Sequence, residues 1–108
     1  MNDLINKYAD EIKLLCKQNQ VKELYFFGSI LDRKRFTTKS DIDILVDFKQ
    51  GITLEEYTDS YFGLLFSLED LLKRKIDITT TKSVRNPYFQ QELEATKSLF
   101  YESVGVNG

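Results

Sequence analysis

Histidine is missing from this chain of 108 residues, and cysteine and proline occur once each. Without an imidazole there are no serine or cysteine triads of the usual kind, no histidine-ligated zinc and no side chain that titrates near neutral pH unperturbed. Whatever chemistry the chain performs must run on carboxylates, lysines, tyrosines or a metal ion. The lone Cys16 cannot close an internal disulfide, and its place on a helical stripe makes it a core thiol rather than a nucleophile. No repeat, low-complexity tract or Pro/Gly-rich linker divides the chain, and its length and 42% apolar content fit one domain over residues 1–108.

Long apolar runs are also absent, which excludes a membrane span, and Asp3, Asp10 and Glu11 near the N-terminus exclude a signal peptide. The expected location is the cytoplasm. With 15 Lys+Arg against 17 Asp+Glu the net charge is −2, so no global field favours nucleic acid or an anionic membrane, and direct nucleic-acid binding is not expected. Any basic site must be local.

What is present reads as alternating helices and strands. Leu4, Tyr8, Ile12 and Leu15, with Ile5 and Cys16 alongside, recur at three- and four-residue steps and predict a helix from about residue 3 to residue 18. Leu24-Tyr25-Phe26-Phe27 is a β-prone run stopping at Gly28-Ser29, a strand feeding a tight turn and then a helix. Ser40 to Phe48 alternates Asp41, Asp43, Leu45 and Asp47 with Ile42, Ile44, Val46 and Phe48, the period of a strand. Asp47 is assigned to the strand's exit and to solvent.

Thr53-Leu54-Glu55-Glu56 has the form of a capping box, and Leu54, Tyr57, Tyr61, Leu64, Leu65, Leu68 and Leu72 carry the helix that follows. Lys73, Arg74 and Lys75 at its end read as dipole and solvent charges. Ile76 to Thr80 is a third strand, and Asn86-Pro87 opens a last helix with Phe89, Leu93 and Thr96 facing inward. Leu99-Phe100-Tyr101 is read as a short final strand. Tyr57, Tyr61, Tyr88 and Phe89 are read as packing residues. This order predicts an α/β or α+β fold, a small mixed sheet packed against helices.

The chemistry concentrates on three aspartates. Asp41 and Asp43, two apart on a strand, leave one face with β-carbons about 6 to 7 Å apart, and two ionised carboxylates that close favour a cation between them. Carboxylate oxygens suit Mg²⁺ or Mn²⁺. In two-metal phosphoryl chemistry the ions stand about 3.5–4 Å apart and a third carboxylate serves as ligand or base; Asp77 fits that part if its strand lies beside the Asp41 strand. Gly28 and Ser29 offer backbone amides and a hydroxyl to an anion. Asp32 to Lys39 carries four basic residues against one acid, and Arg33 and Lys39 are the first candidates there for phosphate contacts.

Phe27-Gly28-Ser29, then Ser40-Asp41-Ile42-Asp43-Ile44-Leu45-Val46, then Ile76-Asp77-Ile78 resemble the minimal nucleotidyltransferases of the DNA polymerase β-like superfamily, in particular the antitoxin-type members encoded beside HEPN-domain proteins. The likeness runs from the first helix through Arg85-Asn86-Pro87 to Phe100-Tyr101-Glu102. It implies that Asp41, Asp43 and Asp77 are catalytic and hold metal, two Mg²⁺ ions or Mn²⁺ in their place. It implies that Gly28 and Ser29 hold the triphosphate of ATP, with Arg33 in the place of the family's usual arginine, and that AMP passes to a tyrosine of a partner HEPN toxin; Lys39 and Ser40 join them as candidate nucleotide contacts. Two departures stand out: the eleven residues between Ser29 and Asp41 are one more than is common, and Ile30-Leu31-Asp32-Arg33-Lys34 replaces the usual Ala-Arg-Gly pattern. The alternatives are an idle transferase that neutralises its toxin by binding alone, and nucleotidyl transfer to a small molecule. A homo-oligomer stays open.

Overall fold

The computed structural model describes residues 2–103. Helices α1 (Asp3–Lys7) and α2 (Ala9–Gln18) lead into β1 (Val21–Phe27), a 3₁₀ turn (Gly28–Leu31) and β2 (Ile42–Phe48). Helix α3 (Leu54–Leu72), β3 (Ile76–Thr80), α4 (Pro87–Thr96) and β4 (Ser98–Glu102) follow. Among the described residues the strands form one sheet in the order β3-β2-β1-β4, with β1 antiparallel to β2 and β4, and β2 parallel to β3. The fold is the mixed α+β sandwich expected. No described helix is long and apolar enough to cross a membrane.

Alternation along β2 decides what each face of the sheet does. Ile42, Ile44, Val46 and Phe48 point to one side and join Val21, Leu24 and Phe26 of β1, Ile5 of α1, Ile12 and Cys16 of α2, and Leu64, Leu68 and Leu72 of α3 in one core. Each such aliphatic side chain removed from water contributes roughly 1.5–3 kcal/mol before entropy is counted. The opposite face carries Asp43, Leu45 and Asp47. Part of it is closed by α4, where the Phe89 ring meets Phe27 edge-on at 6.2 Å and Leu93 is buried. Leu45 is buried outside the main core, so this is a sheet packed on both sides.

Several expected boundaries shift. The first helix breaks at Tyr8, which leaves helical geometry (φ −110°, ψ 18°), although its apolar stripe continues across the break. β1 starts at Val21 rather than Leu24, because a bulge between Val21 and Glu23 lets Val21 pair with Phe48 and turns both Val21 and Leu24 into the core. The chain after Gly28 forms a single 3₁₀ turn, not the α-helix expected. The capping box is present, with the Thr53 hydroxyl accepting from the Glu56 amide at 3.1 Å and the Glu56 carboxylate accepting from the Thr53 amide at 3.0 Å.

Leu54 on the first turn of α3 is 81% exposed, so the stripe that reaches the core begins at Tyr57, whose ring lies 5.2 Å from that of Phe48. Thr96 and Tyr88 are exposed on α4 and pack nothing inward. Asp47 is half-buried and accepts the Thr81 hydroxyl at 3.2 Å, a tie between β2 and the turn after β3 rather than a solvent charge. Lys73 ends α3 in the left-handed region (φ 55°) and pairs with Asp70 at 3.2 Å, while Arg74 reaches the Thr37 and Ser40 carbonyls.

Candidate active site

The end of β1 delivers the chain to Gly28, and the structure gives two separate reasons for glycine there. Its φ of +75° lies in the left-handed region, and a β-carbon on it would stand 2.5 Å from Asp43 Oδ2. The turn therefore passes directly over the carboxylate. Asp43 itself sits mid-sheet, paired across the antiparallel ladder with Phe27 and across the parallel ladder with Asp77. Residues in register share a face, so Asp43 and Asp77 project to the same side, away from the main core.

Asp41 lies one residue before β2, which starts at Ile42 and not at Ser40 as expected. The Ile42 amide donates to the Lys75 carbonyl at 2.9 Å, so the parallel register runs on by a step and brings Lys75 level with Asp41. Lys75 Nζ stands 4.0 Å from Asp41 Oδ2, with the two side chains 70% and 45% exposed. A pair so open to water holds loosely, at roughly 0–1 kcal/mol. Two steps along, the same pairing sets acid against acid.

That juxtaposition shows in the electrostatics. Burial raises the Asp43 carboxyl above the usual carboxylate range, and the charges of Asp77 and then Asp41 raise it further, while Arg35 works against them. Positive charge placed here would relieve the strain. Among the described residues no three His, Cys, Asp or Glu side chains are gathered tightly enough to hold an ion as they stand. Asp43 and Asp77, the pair in register, offer carboxylate oxygens, the hard donors that fit a divalent cation.

The remaining expected residues divide. Ser29 sits in the 3₁₀ turn, where its carbonyl accepts from the Asp32 amide at 2.9 Å. The Ser40 hydroxyl accepts from the Thr37 amide at 2.9 Å and lies 3.4 Å from the Arg35 carbonyl, to which it donates, so it braces the loop from within. Lys39 is exposed, and its amide donates to the Thr37 hydroxyl at 3.2 Å. Arg33 lines a different cavity, with Asn2, Asp3, Ile30 and Phe36. It is Arg35 that lines the cavity of about 480 Å³ beside Gly28, together with Phe27, Asp32, Phe89 and Glu92.

Arg35, counted in the basic loop but not singled out by sequence reasoning, and Lys75, assigned there to dipole and solvent, both stand beside these residues. A faint signal for Lys75 existed: it stands two before Asp77 as Asp41 stands two before Asp43. Reading it needed the parallel register.

Comparison with known proteins identifies the family. The family model described as polymerase beta, nucleotidyltransferase matches residues 10–104. A protein of Methanocaldococcus jannaschii assigned as a protein adenylyltransferase is 34% identical over 94 residues, which span 87% of this chain and 88% of the relative. Among solved structures, a minimal nucleotidyltransferase superimposes with a TM-score of 0.68 at 24% identity, covering 90% of this chain and 94% of the other. A chain from the complex of a tri-AMPylated Shewanella oneidensis HEPN toxin with its MNT antitoxin gives a TM-score of 0.60 at 18% identity, covering 91% and 72%. At these identities the two structures speak for the fold, and the sequence match speaks for descent. With a glycine turn set over one of two aspartates in register and a family match over nearly its whole length, the chain belongs to the polymerase β nucleotidyltransferase family.

Proposed function

We propose that this protein transfers AMP from ATP to a tyrosine of a HEPN-domain partner in the cytoplasm, and thereby acts as that toxin's antitoxin. The observation that carries the proposal is the register of Asp43 on Asp77 beneath the Gly28 turn, which sets two carboxylates next to a stretch of open backbone. The relative assigned as a protein adenylyltransferase and the AMPylated toxin found with an antitoxin of this fold support protein as the acceptor and AMP as the group moved.

In this reading the tyrosine hydroxyl oxygen attacks the α-phosphorus of ATP, the bond from that phosphorus to the bridging oxygen of the β-phosphate breaks, and pyrophosphate leaves. The product is a phosphodiester between AMP and the tyrosine. Asp77, the outermost of the aspartates on the edge strand, takes the tyrosine proton. Gly28 and Ser29 would place backbone amides and a hydroxyl beside the triphosphate, and Arg35 adds charge to the cavity that Gly28 lines. Asp41, Asp43 and Asp77 would hold Mg²⁺, or Mn²⁺, two ions in the full site, and the metal would supply neutralisation of phosphate charge. The partner supplies the acceptor surface.

A second reading, an antitoxin that binds its toxin with an idle site, has one observation in its favour: Lys75 already offers Asp41 a cation. Incubation with labelled ATP, Mg²⁺ and the purified HEPN partner separates the two. Asp43→Asn is expected to lose labelling of the partner by at least about a hundredfold while its circular dichroism is unchanged. Equal labelling by the variant would falsify the catalytic assignment.

A further inference from the structure

An exposed basic loop has little to hold it where its charges are useful, because its long side chains lose rotamer freedom when ordered and gain solvation when they swing out. The loop from Asp32 to Ser40 is held in two ways. Within it, the Asp32 carboxylate accepts from the Lys34 amide at 2.9 Å, and Asp32 and Ser40 tie the backbone at either end.

From outside comes Arg74, just past the end of α3. Its guanidinium donates to the Thr37 carbonyl and, at 2.7 Å, to the Ser40 carbonyl, and it lies 4.5 Å from the centroid of the Phe36 ring. Both carbonyls are met by one nitrogen, Nη2, while the flat guanidinium lies over the Phe36 ring, a stacking contact that lysine reproduces poorly.

The anchored stretch runs directly into Asp41, and it begins next to Arg35, which lines the cavity beside Gly28 and whose charge acts on Asp43. We propose that Arg74 is a positioning residue of the transfer site: by clamping the Thr37 and Ser40 carbonyls and stacking on Phe36, it keeps Arg35 in the cavity beside Gly28, where Arg35 binds the triphosphate. The inference rests on the nucleotide-binding part of the reading above and on nothing about the acceptor.

Calorimetric titration of ATP with Mg²⁺ into the protein alone tests it, in wild type, R35A, R74M and the double variant R35A/R74M. Each single variant is expected to bind about tenfold more weakly, the loss of one charge-assisted contact. The double variant is expected to bind no more than about twofold more weakly than R35A, because both changes remove the same contact. A role for Arg74 in general stability would lower the unfolding midpoint without producing that coupling.

R74K and F36L serve if R74M fails to fold. R74K keeps the charge and is expected to recover little affinity, and F36L is expected to weaken binding a few-fold. Wild-type affinity in the Arg74 variants, or a double-variant loss equal to the product of the single losses, overturns the proposal. Absence of ATP binding by the wild type overturns the nucleotide reading and this inference with it, whereas ATP binding by the wild type with unimpaired R74M overturns this inference alone.

Discussion

At Gly28 a backbone constraint and a steric one coincide. Gly28→Ala must hold an alanine at φ +75°, which costs roughly 1–2 kcal/mol, and must push the Asp43 carboxylate out of its place. Urea denaturation is expected to show that loss of stability, and AMP transfer is expected to fall with it. Asp43 carries the opposite trade. Its ionised form is disfavoured in the fold, so the stability present at low pH declines as pH rises through its raised pKa. Asp43→Asn is therefore expected to raise the unfolding temperature of the protein in a chelator at neutral pH and to remove that decline, while transfer is lost. An unchanged or lower midpoint would contradict the like-charge account. Cys16 is fully buried, and burial pushes its thiol up to about 12. It is expected to resist a thiol reagent at pH 8 until urea unfolds the chain, which a colorimetric thiol assay checks.

Among the elements, α3 shows how much a short motif can settle. Thr53 and Glu56 were legible as a capping box because four adjacent residues contain the whole device, and the structure has both hydrogen bonds. Thr53→Ala is expected to cost about 1 kcal/mol in urea denaturation. Hydrogen bonds from the Thr53 amide and hydroxyl region hold the Glu56 carboxyl below its ordinary range, so its contribution is present above that range and is lost as pH falls through the depressed value. Glu56→Gln is expected to flatten that acid limb of the stability profile.

The strands were equally legible where they alternate, and Asp43 and Asp77 were found for that reason. The loop from Asp32 to Ser40 was not, because it has no period: nothing in Arg33-Lys34-Arg35 says which side chain reaches the Gly28 cavity, and the structure selects Arg35. Arg74 was misread as a solvent charge since its partners, Thr37 and Ser40, are distant in sequence and meet it only once β3 lies on β2.

The molecule as a whole divides its labour between two faces of one sheet. One face is filled by α1, α2 and α3, and the other keeps carboxylates partly in water while α4 covers part of it. Ligand that engages the open end stabilises the folded state by mass action. ATP with Mg²⁺ at a hundredfold excess over its dissociation constant is expected to add about 2.7 kcal/mol, read as a rise in the unfolding midpoint, and ATP with Asp43→Asn is expected to add little.

The order β3-β2-β1-β4 also has a consequence in time. As the ribosome releases this chain, Gly28, Asp41 and Asp43 emerge well before Asp77, and β2 waits with one side unclaimed until α3 has crossed over and β3 arrives. A half-made chain thus shows an unfinished sheet border studded with negative charge, which discourages adhesion to neighbouring nascent chains. The acids proposed to handle phosphate first serve as guards against misassembly.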